Sequence, residues 1–204
     1  MDVFEAIAGR RSIRKFTPDP VKEEDLRRIL DAARLAPSGT NQQPWHFLVV
    51  RDAELLERLA KVVKDKAEVV LAHMSDEQQK WAEPILRRFV TFFAQAPVTI
   101  FPLIEPYGSL TYKRGEIVGQ DYDPVAQSIG AAIQNLHLAA FALGYGTCWM
   151  TGPLIAREEM EELLGVELPW KLAAVIPLGG PAKVPGPRPR KSLDEIATFI
   201  DPDS

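Results

Sequence analysis

Apolar residues recur at helical spacing in several separate stretches of the chain, and short unbroken apolar runs lie between them. Val3, Phe4 and Ile7 predict a helix that opens on Asp2 as its N-cap and closes at Gly9. Leu26, Ile29, Leu30 and Ala33 predict a second over about 22–36, which Pro37 helps to end. His46-Phe47-Leu48-Val49-Val50 reads as a buried strand. A helix capped by Asp52 follows, with Leu55, Leu56, Leu59 and Val62 as its apolar stripe. Residues 64–95 alternate helical signals with charge, and the pattern leaves the element boundaries there open. Pro97–Phe101 is the next strand. The least regular stretch is 105–122, a candidate lid or substrate wall with Tyr107, Tyr112 and Lys113 as guesses for its lining.

From Asp123 the pattern sharpens. Asp123 is an N-cap, Pro124 suits the first helical position, and the helix runs to Leu143 with Val125, Ile129, Ile133, Leu136, Leu138 and Phe141 on nearly every face. Such a helix is buried all round, in part by a subunit interface. Gln134 and Asn135 then become buried amides that need partners, and His137 a satisfied helix histidine. Gly144 and Gly146 turn the chain into a short buried strand, Thr147–Met150. A helix over Leu154–Leu164 and a strand over Leu172–Leu178 follow. Ser192-Leu193-Asp194-Glu195 matches a capping box for a short final helix. Helices and strands intermix without βαβ repetition and without a glycine-rich dinucleotide fingerprint, which favours an α+β fold over a Rossmann sheet.

Length and composition narrow the classes. The 204 residues suit one domain, and a formal net charge of −4 argues against nucleic acid or an anionic membrane surface as partner. No apolar h-region opens the chain and no apolar run approaches membrane-spanning length, so a cytoplasmic location is expected. The lone cysteine, Cys148, excludes an intramolecular disulfide framework and reads as a small core residue.

Against that negative balance, Arg10-Arg11-Ser12-Ile13-Arg14-Lys15-Phe16 stands out. Its cations follow a helix C-terminus, where they complement the macrodipole; that is the plain structural reading. If the segment is extended, Arg10, Ser12 and Arg14 share one side and could converge on an anion such as a phosphate. A second basic patch holds Lys183, Arg188, Arg190 and Lys191 among prolines, with no acid between Gly180 and Ser192. Proline stiffening would make it an extended arm; the alternative is a solvated linker.

Arg10–Phe16, Ala36-Pro37-Ser38-Gly39-Thr40-Asn41-Gln42-Gln43-Pro44-Trp45-His46-Phe47, Gly144–Pro153, and Pro177–Ala182 with Pro189-Arg190-Lys191 together resemble, in order, the motifs of the FMN-dependent nitroreductase family. The resemblance runs end to end and is weakest between Lys64 and Gln120. It implies a homodimeric α+β fold with a mixed sheet flanked by helices, a C-terminal arm reaching across the partner, and FMN at the dimer interface. Carried over by position, Arg10, Ser12 and Arg190 would hold the FMN phosphate and ribityl chain, with Arg11 lending charge. Arg14 would reach the pyrimidine edge of the ring, where a fixed cation favours the reduced flavin. Pro37, Ser38, Gly39 and Asn41 would come from the other subunit. Trp149, Met150 and Thr151 would pass the ring, with Thr151 near N5.

The implied reaction is a ping-pong reduction of small acceptors such as nitroaromatics or quinones, with NADH or NADPH as hydride donor. It needs neither an acid–base triad nor a metal, and none is assigned. Alternatives are a dehalogenating offshoot, a flavin-fragmenting offshoot, a flavin carrier without turnover, and a dimeric scaffold that binds no FMN. The dehalogenating branch resembles a lid carrying a Glu, Tyr and Lys trio. Here Glu83 is followed one turn later by Arg87 in place of a tyrosine, which lowers that option.

Overall fold

The computed structural model describes residues 1–105 and 124–200. Tyr107, Tyr112, Lys113 and the Asp123 cap lie outside them. The elements in chain order are α1 (Val3–Gly9), α2 (Glu23–Arg34), β1 (Trp45–Val50), α3 (Ala53–Ala72), α4 (Asp76–Arg88), β2 (Val98–Ile104), α5 (Pro124–Ala142), β3 (Gly146–Thr147), α6 (Arg157–Leu164), β4 (Lys171–Leu172) and β5 (Ile176–Gly179). Short 3₁₀ turns occupy Gly39–Asn41, Phe92–Gln95 and Gly152–Ala156.

Local chemistry explains the helix ends. Asp2 forms a reciprocal capping box with Glu5, and the Asp52 carboxylate accepts from the amides of Glu54 and Leu55. A second capping box, Ser75 with Gln78, sets the break between α3 and α4 that the apolar pattern left open. The buried stripe of α3 is Leu56, Leu59, Val63, Ala67 and Leu71, so Leu55 and Val62 flank it half-buried.

The strands run β1-β2-β5-β3 across the sheet, with β4 also paired to β2, and every pairing between these strands is antiparallel. A parallel pairing enters only through an isolated bridge, Ser12 to Thr147. Side chains alternate across β2 as the pleat requires. Val98 and Ile100 face a core built with α2 and α5, whereas Phe101 and Leu103 face one built with α3 and α6. The architecture is α+β, an antiparallel sheet flanked by helices. Among the described residues no helix is long and apolar enough to cross a membrane.

Four expectations change. Gln134 of α5 is exposed in this chain, while Asn135 is half-buried and donates to the Ala32 carbonyl at 3.2 Å, so α5 is not covered all round. His137 is satisfied on one side only, as described below. The stretch 172–178 is two strands, because Val175 leaves β2 to pair with Met150. The Ser192–Glu195 box closes a single turn: the serine amide and hydroxyl both donate to the Glu195 carboxylate, while the Glu195 amide donates to the Ser192 carbonyl at 3.3 Å and not to the hydroxyl.

Candidate functional site

The N-terminal run is seated by two close approaches. At Gly9 an added Cβ would fall 2.6 Å from Cζ of Phe141, so α1 lies directly on α5. At Gly146 it would fall 2.5 Å from Cγ1 of Ile13, which is 3% exposed. Only a residue without a side chain lets the run lie flat on β3. Beyond Arg10 the backbone is extended; Ile13 donates its amide to the Thr147 carbonyl at 2.9 Å.

The tail is then laced to the same run. Thr17 N–H donates to the Gly180 carbonyl at 2.8 Å, Phe16 bridges Pro181, and Ala182 N–H donates to the Lys15 carbonyl at 3.0 Å. Two basic segments some 170 residues apart in sequence therefore share one edge.

Between them lies a cleft of about 420 Å³ lined by Arg10, Arg11, Ser12 and Arg14 from the run, and by Arg188 and Arg190 from the tail. No acid lines it. Among the described residues none of these five arginines pairs with a carboxylate, whereas Arg27, Arg28, Arg34, Arg51 and Arg87 all do. Arg11 was expected on the opposite side from Arg10. Its guanidinium instead folds back onto the α1 C-terminus, donating to the carbonyls of Ala8 at 2.7 Å and Arg10 at 2.9 Å, and still lines the cleft. The macrodipole reading of the run holds for Arg11, whose guanidinium meets the carbonyls at the α1 C-terminus.

A second pocket of about 360 Å³ adjoins the first and shares Arg14 and Arg188 with it. The rest of its wall is mostly apolar or aromatic, including Phe89, Phe92, Trp149 and Met150, with Thr151 at its border. Met150 is buried and Trp149 is 43% exposed. Burial pushes the Cys148 thiol pKa up, against the opposing pull of Arg14, Ser12 and Arg10, which suits a core residue and not a thiolate.

Behind both pockets sits His137. Its Nδ1 lies 2.6 Å from the Thr147 hydroxyl, its ring 6.1 Å from that of Trp149, and its buried Nε2 has no partner among the described residues. Burial first, and the Arg10 charge second, press its pKa down to about 4, so the ring is neutral.

The loop residues Pro37, Ser38, Gly39 and Asn41 line neither pocket. Ser38 Oγ accepts from the Gln43 amide at 2.9 Å. Thr40, Asn41 and Gln43 hold positive φ of 51°, 55° and 49°, a costly conformation for residues with side chains. Gly39 does not need its own freedom for φ, and nothing lies within 4 Å of where its Cβ would be. The single chain thus gathers Arg10, Arg11, Ser12, Arg14, Trp149, Met150, Thr151 and Arg190 and leaves the 37–41 loop apart. Sequence reasoning did not single out Arg188, which stands two residues from Arg190 and so on the same side of an extended arm. Phe89 was also missed; Trp81, Ile85 and Phe89, four apart, were its signal.

Comparison with known proteins gives this geometry a lineage. A relative from Methanothermobacter thermautotrophicus, provisionally named NADH dehydrogenase/NAD(P)H nitroreductase, is 36% identical over 199 residues, covering 96% of this chain and 86% of its own. Iodotyrosine deiodinase 1 of Rattus norvegicus is 27% identical over 211 residues, covering 98% of this chain and 70% of its own. Among solved structures, a BluB-like flavoprotein from Clostridium difficile 630 superposes with a TM-score of 0.88 at 32% identity, over 98% of this chain and 100% of that one. A nitroreductase with bound FMN from Desulfitobacterium hafniense DCB-2 gives 0.78 at 26% identity, over 98% and 100%. With the model of the nitroreductase family matching residues 7–180, a span that takes in the basic run, the 148–152 segment and the whole sheet and stops short of Arg188 and Arg190, the chain belongs to that family.

Proposed function

We propose that this chain is an FMN-dependent oxidoreductase that takes hydride equivalents from NADH or NADPH and passes them to a small acceptor such as a nitroaromatic or a quinone. The observation that carries the reading is the acid-free cleft of five arginines and a serine, open beside an aromatic pocket. The donor set fits the cofactor: a phosphate of about −1.5 to −2 charge rewards several cationic donors in one niche, and a flat ring suits aromatic and apolar walls. FMN, when bound, supplies the hydride-accepting centre.

The protein's residues then have distinct tasks. Arg10, Ser12 and Arg190 hold the phosphate and ribityl chain, with Arg11 and Arg188 adding charge. Arg14 holds a cation at the pyrimidine edge, which stabilises negative charge there. Trp149, Met150 and Thr151 flank the ring and keep water from that side.

A second copy of the chain completes the site in this reading. The apolar face of α1 is uncovered, with Val3, Phe4 and Ile7 at 56%, 78% and 54% exposure, and Leu193, Ile196 and Phe199 of the tail are uncovered too. Pairing would bury both and bring in Pro37, Ser38, Gly39 and Asn41 from the partner, which accounts for a strained loop whose glycine meets nothing among the described residues.

The test is anaerobic. Purified protein carries yellow FMN, NADH or NADPH bleaches it, and a nitro or quinone acceptor restores the colour. Protein that binds no FMN, or FMN that neither nucleotide bleaches, overturns the reading.

Reductive dehalogenation is a second reading, favoured by the deiodinase relative. Against it, the guanidinium of Arg87 pairs with Glu83 at 3.3 Å and with Glu68 at 3.1 Å, so the position one turn after Glu83 is committed to fastening α4 to α3. Iodide release from iodotyrosine by the reduced protein decides between the two.

A further inference from the structure

Arg14 borders both pockets, and its own neighbourhood explains poorly why it should serve one and not the other. It is exposed, and among the described residues its one hydrogen bond is a 3.3 Å contact to the carbonyl of Ser12 and no carboxylate holds it. Fixing an arginine in one rotamer costs side-chain entropy. A guanidinium so loosely held would sample both pockets, and its time in either would be set by whatever else attracts it.

The attraction visible in the structure is aromatic. The Arg14 guanidinium carbon lies 5.9 Å from the ring centroid of Phe89, within cation–π range, and both residues line the second pocket. Phe89 is the C-cap of α4, and its backbone is fixed there: its amide donates to the Ile85 carbonyl at 2.9 Å, and Arg87 ties the same turn to Glu68 of α3, while the ring itself is half exposed. On the other side stand Arg10, Arg11 and Arg190, whose like charge disfavours a further guanidinium deep in the cleft, while Arg188 borders both pockets.

We propose that Phe89 is the positioning residue for Arg14: its ring face holds the guanidinium toward the aromatic pocket, at the border of the arginine cleft. The contact itself stands on geometry alone. Its consequence, that Phe89 acts through Arg14 on the relative affinity for reduced and oxidised flavin, rests on the FMN reading above. A ring at the end of α4 thereby makes that helix part of the electrostatics of the site, in addition to its wall.

Two readouts test this, one without cofactor. In the apo-protein, the Arg14 Nε–H NMR signal, assigned with Arg14→Lys, carries a ring-current displacement; Phe89→Leu removes it and Phe89→Tyr keeps it. With FMN added, Arg14→Ala lowers the ratio of oxidised-form to reduced-form Kd by about tenfold, the loss of one charged contact. Phe89→Leu lowers the same ratio by about two- to fivefold, as an exposed cation–π contact permits, and Phe89→Tyr restores it. An Arg14 signal unmoved by Phe89→Leu, with the ratio unchanged while Arg14→Ala lowers it, overturns the proposal and leaves Phe89 a simple wall. A signal freed by Phe89→Leu, with a ratio that neither variant changes, upholds the positioning and overturns the role of Arg14 at the flavin.

Discussion

The two adjoining pockets share Arg14 and Arg188 and differ in almost everything else. The first is a ring of cations with a hydroxyl, offered by two extended segments; the second is a wall of aromatic and apolar side chains drawn from α4 and the 148–152 segment. Fixed like charges left uncompensated cost stability, so their retention in one cleft points to an anion that neutralises them. The second pocket has too few charges to hold an anion by itself and enough ring surface to hold a flat apolar group. On the proposed function, their difference is a division of labour within one ligand: charge would be gripped in one place and chemistry sheltered in another, with the arginines at the border belonging to both.

The sharpest way to break that division is Arg190→Glu. Replacing a phosphate-holding cation with an anion should weaken FMN binding by about 100-fold or more, since each charged hydrogen bond contributes about 1.5–3 kcal/mol and the new charge repels. Fluorescence titration of apo-protein measures it, and a change under threefold removes the cleft from FMN binding.

His137 lies behind both pockets and allows a test through pH. Its pKa is about 4 folded against 6.5 for the free residue, so between those values the unfolded chain binds more protons and stability falls as pH falls. The loss should approach about 3 kcal/mol by pH 4, complete only below the folded value. Urea unfolding at pH 7, 5.5 and 4.5 reads this slope, which His137→Gln should flatten.

Gly146→Ala probes the seating of the cation run. Its Cβ would meet Ile13 at 2.5 Å, and the forced shift should cost about 1–3 kcal/mol and loosen FMN by moving Ser12 off Thr147. An alanine variant with unchanged melting temperature and FMN affinity shows that the run need not lie flat.

The smallest effect sharpens the border. Arg14→Ala should leave oxidised FMN bound within about threefold and lower the flavin potential, whereas Arg10→Ala should weaken retention at an unchanged potential. Equal retention loss in both, with no shift in potential, would merge the two pockets into one.

Much of this was legible beforehand for identifiable reasons. The α2 stripe and the Asp2 and Asp52 caps are local signals, and local hydrogen bonds formed as their residue types require. Residues 64–95 were opaque because the boundary there rests on a Ser75–Gln78 exchange within a charged stretch, where apolar periodicity is silent. The Ser192–Glu195 motif misled because a capping box needs a helix behind it, and that segment has no apolar face packed on the rest of its own chain to sustain one. Phe89 was invisible as a site residue, since an aromatic at helical spacing reads as core until its neighbours are known.

By itself the sequence determined which chemistry was available: two acid-free basic segments, a polar loop with a glycine, and apolar runs of a size to build a two-faced sheet core. Residue type and spacing dictate such things because they act within a few positions. The tertiary structure alone decided which of those charges meet. The pairing of Lys15–Thr17 with Gly180–Ala182 closes a loop of more than 160 residues, and Gly146 admits Ile13 where any side chain would block it. Neither condition can be computed from neighbours in the chain, because each depends on how closely two distant backbones can approach.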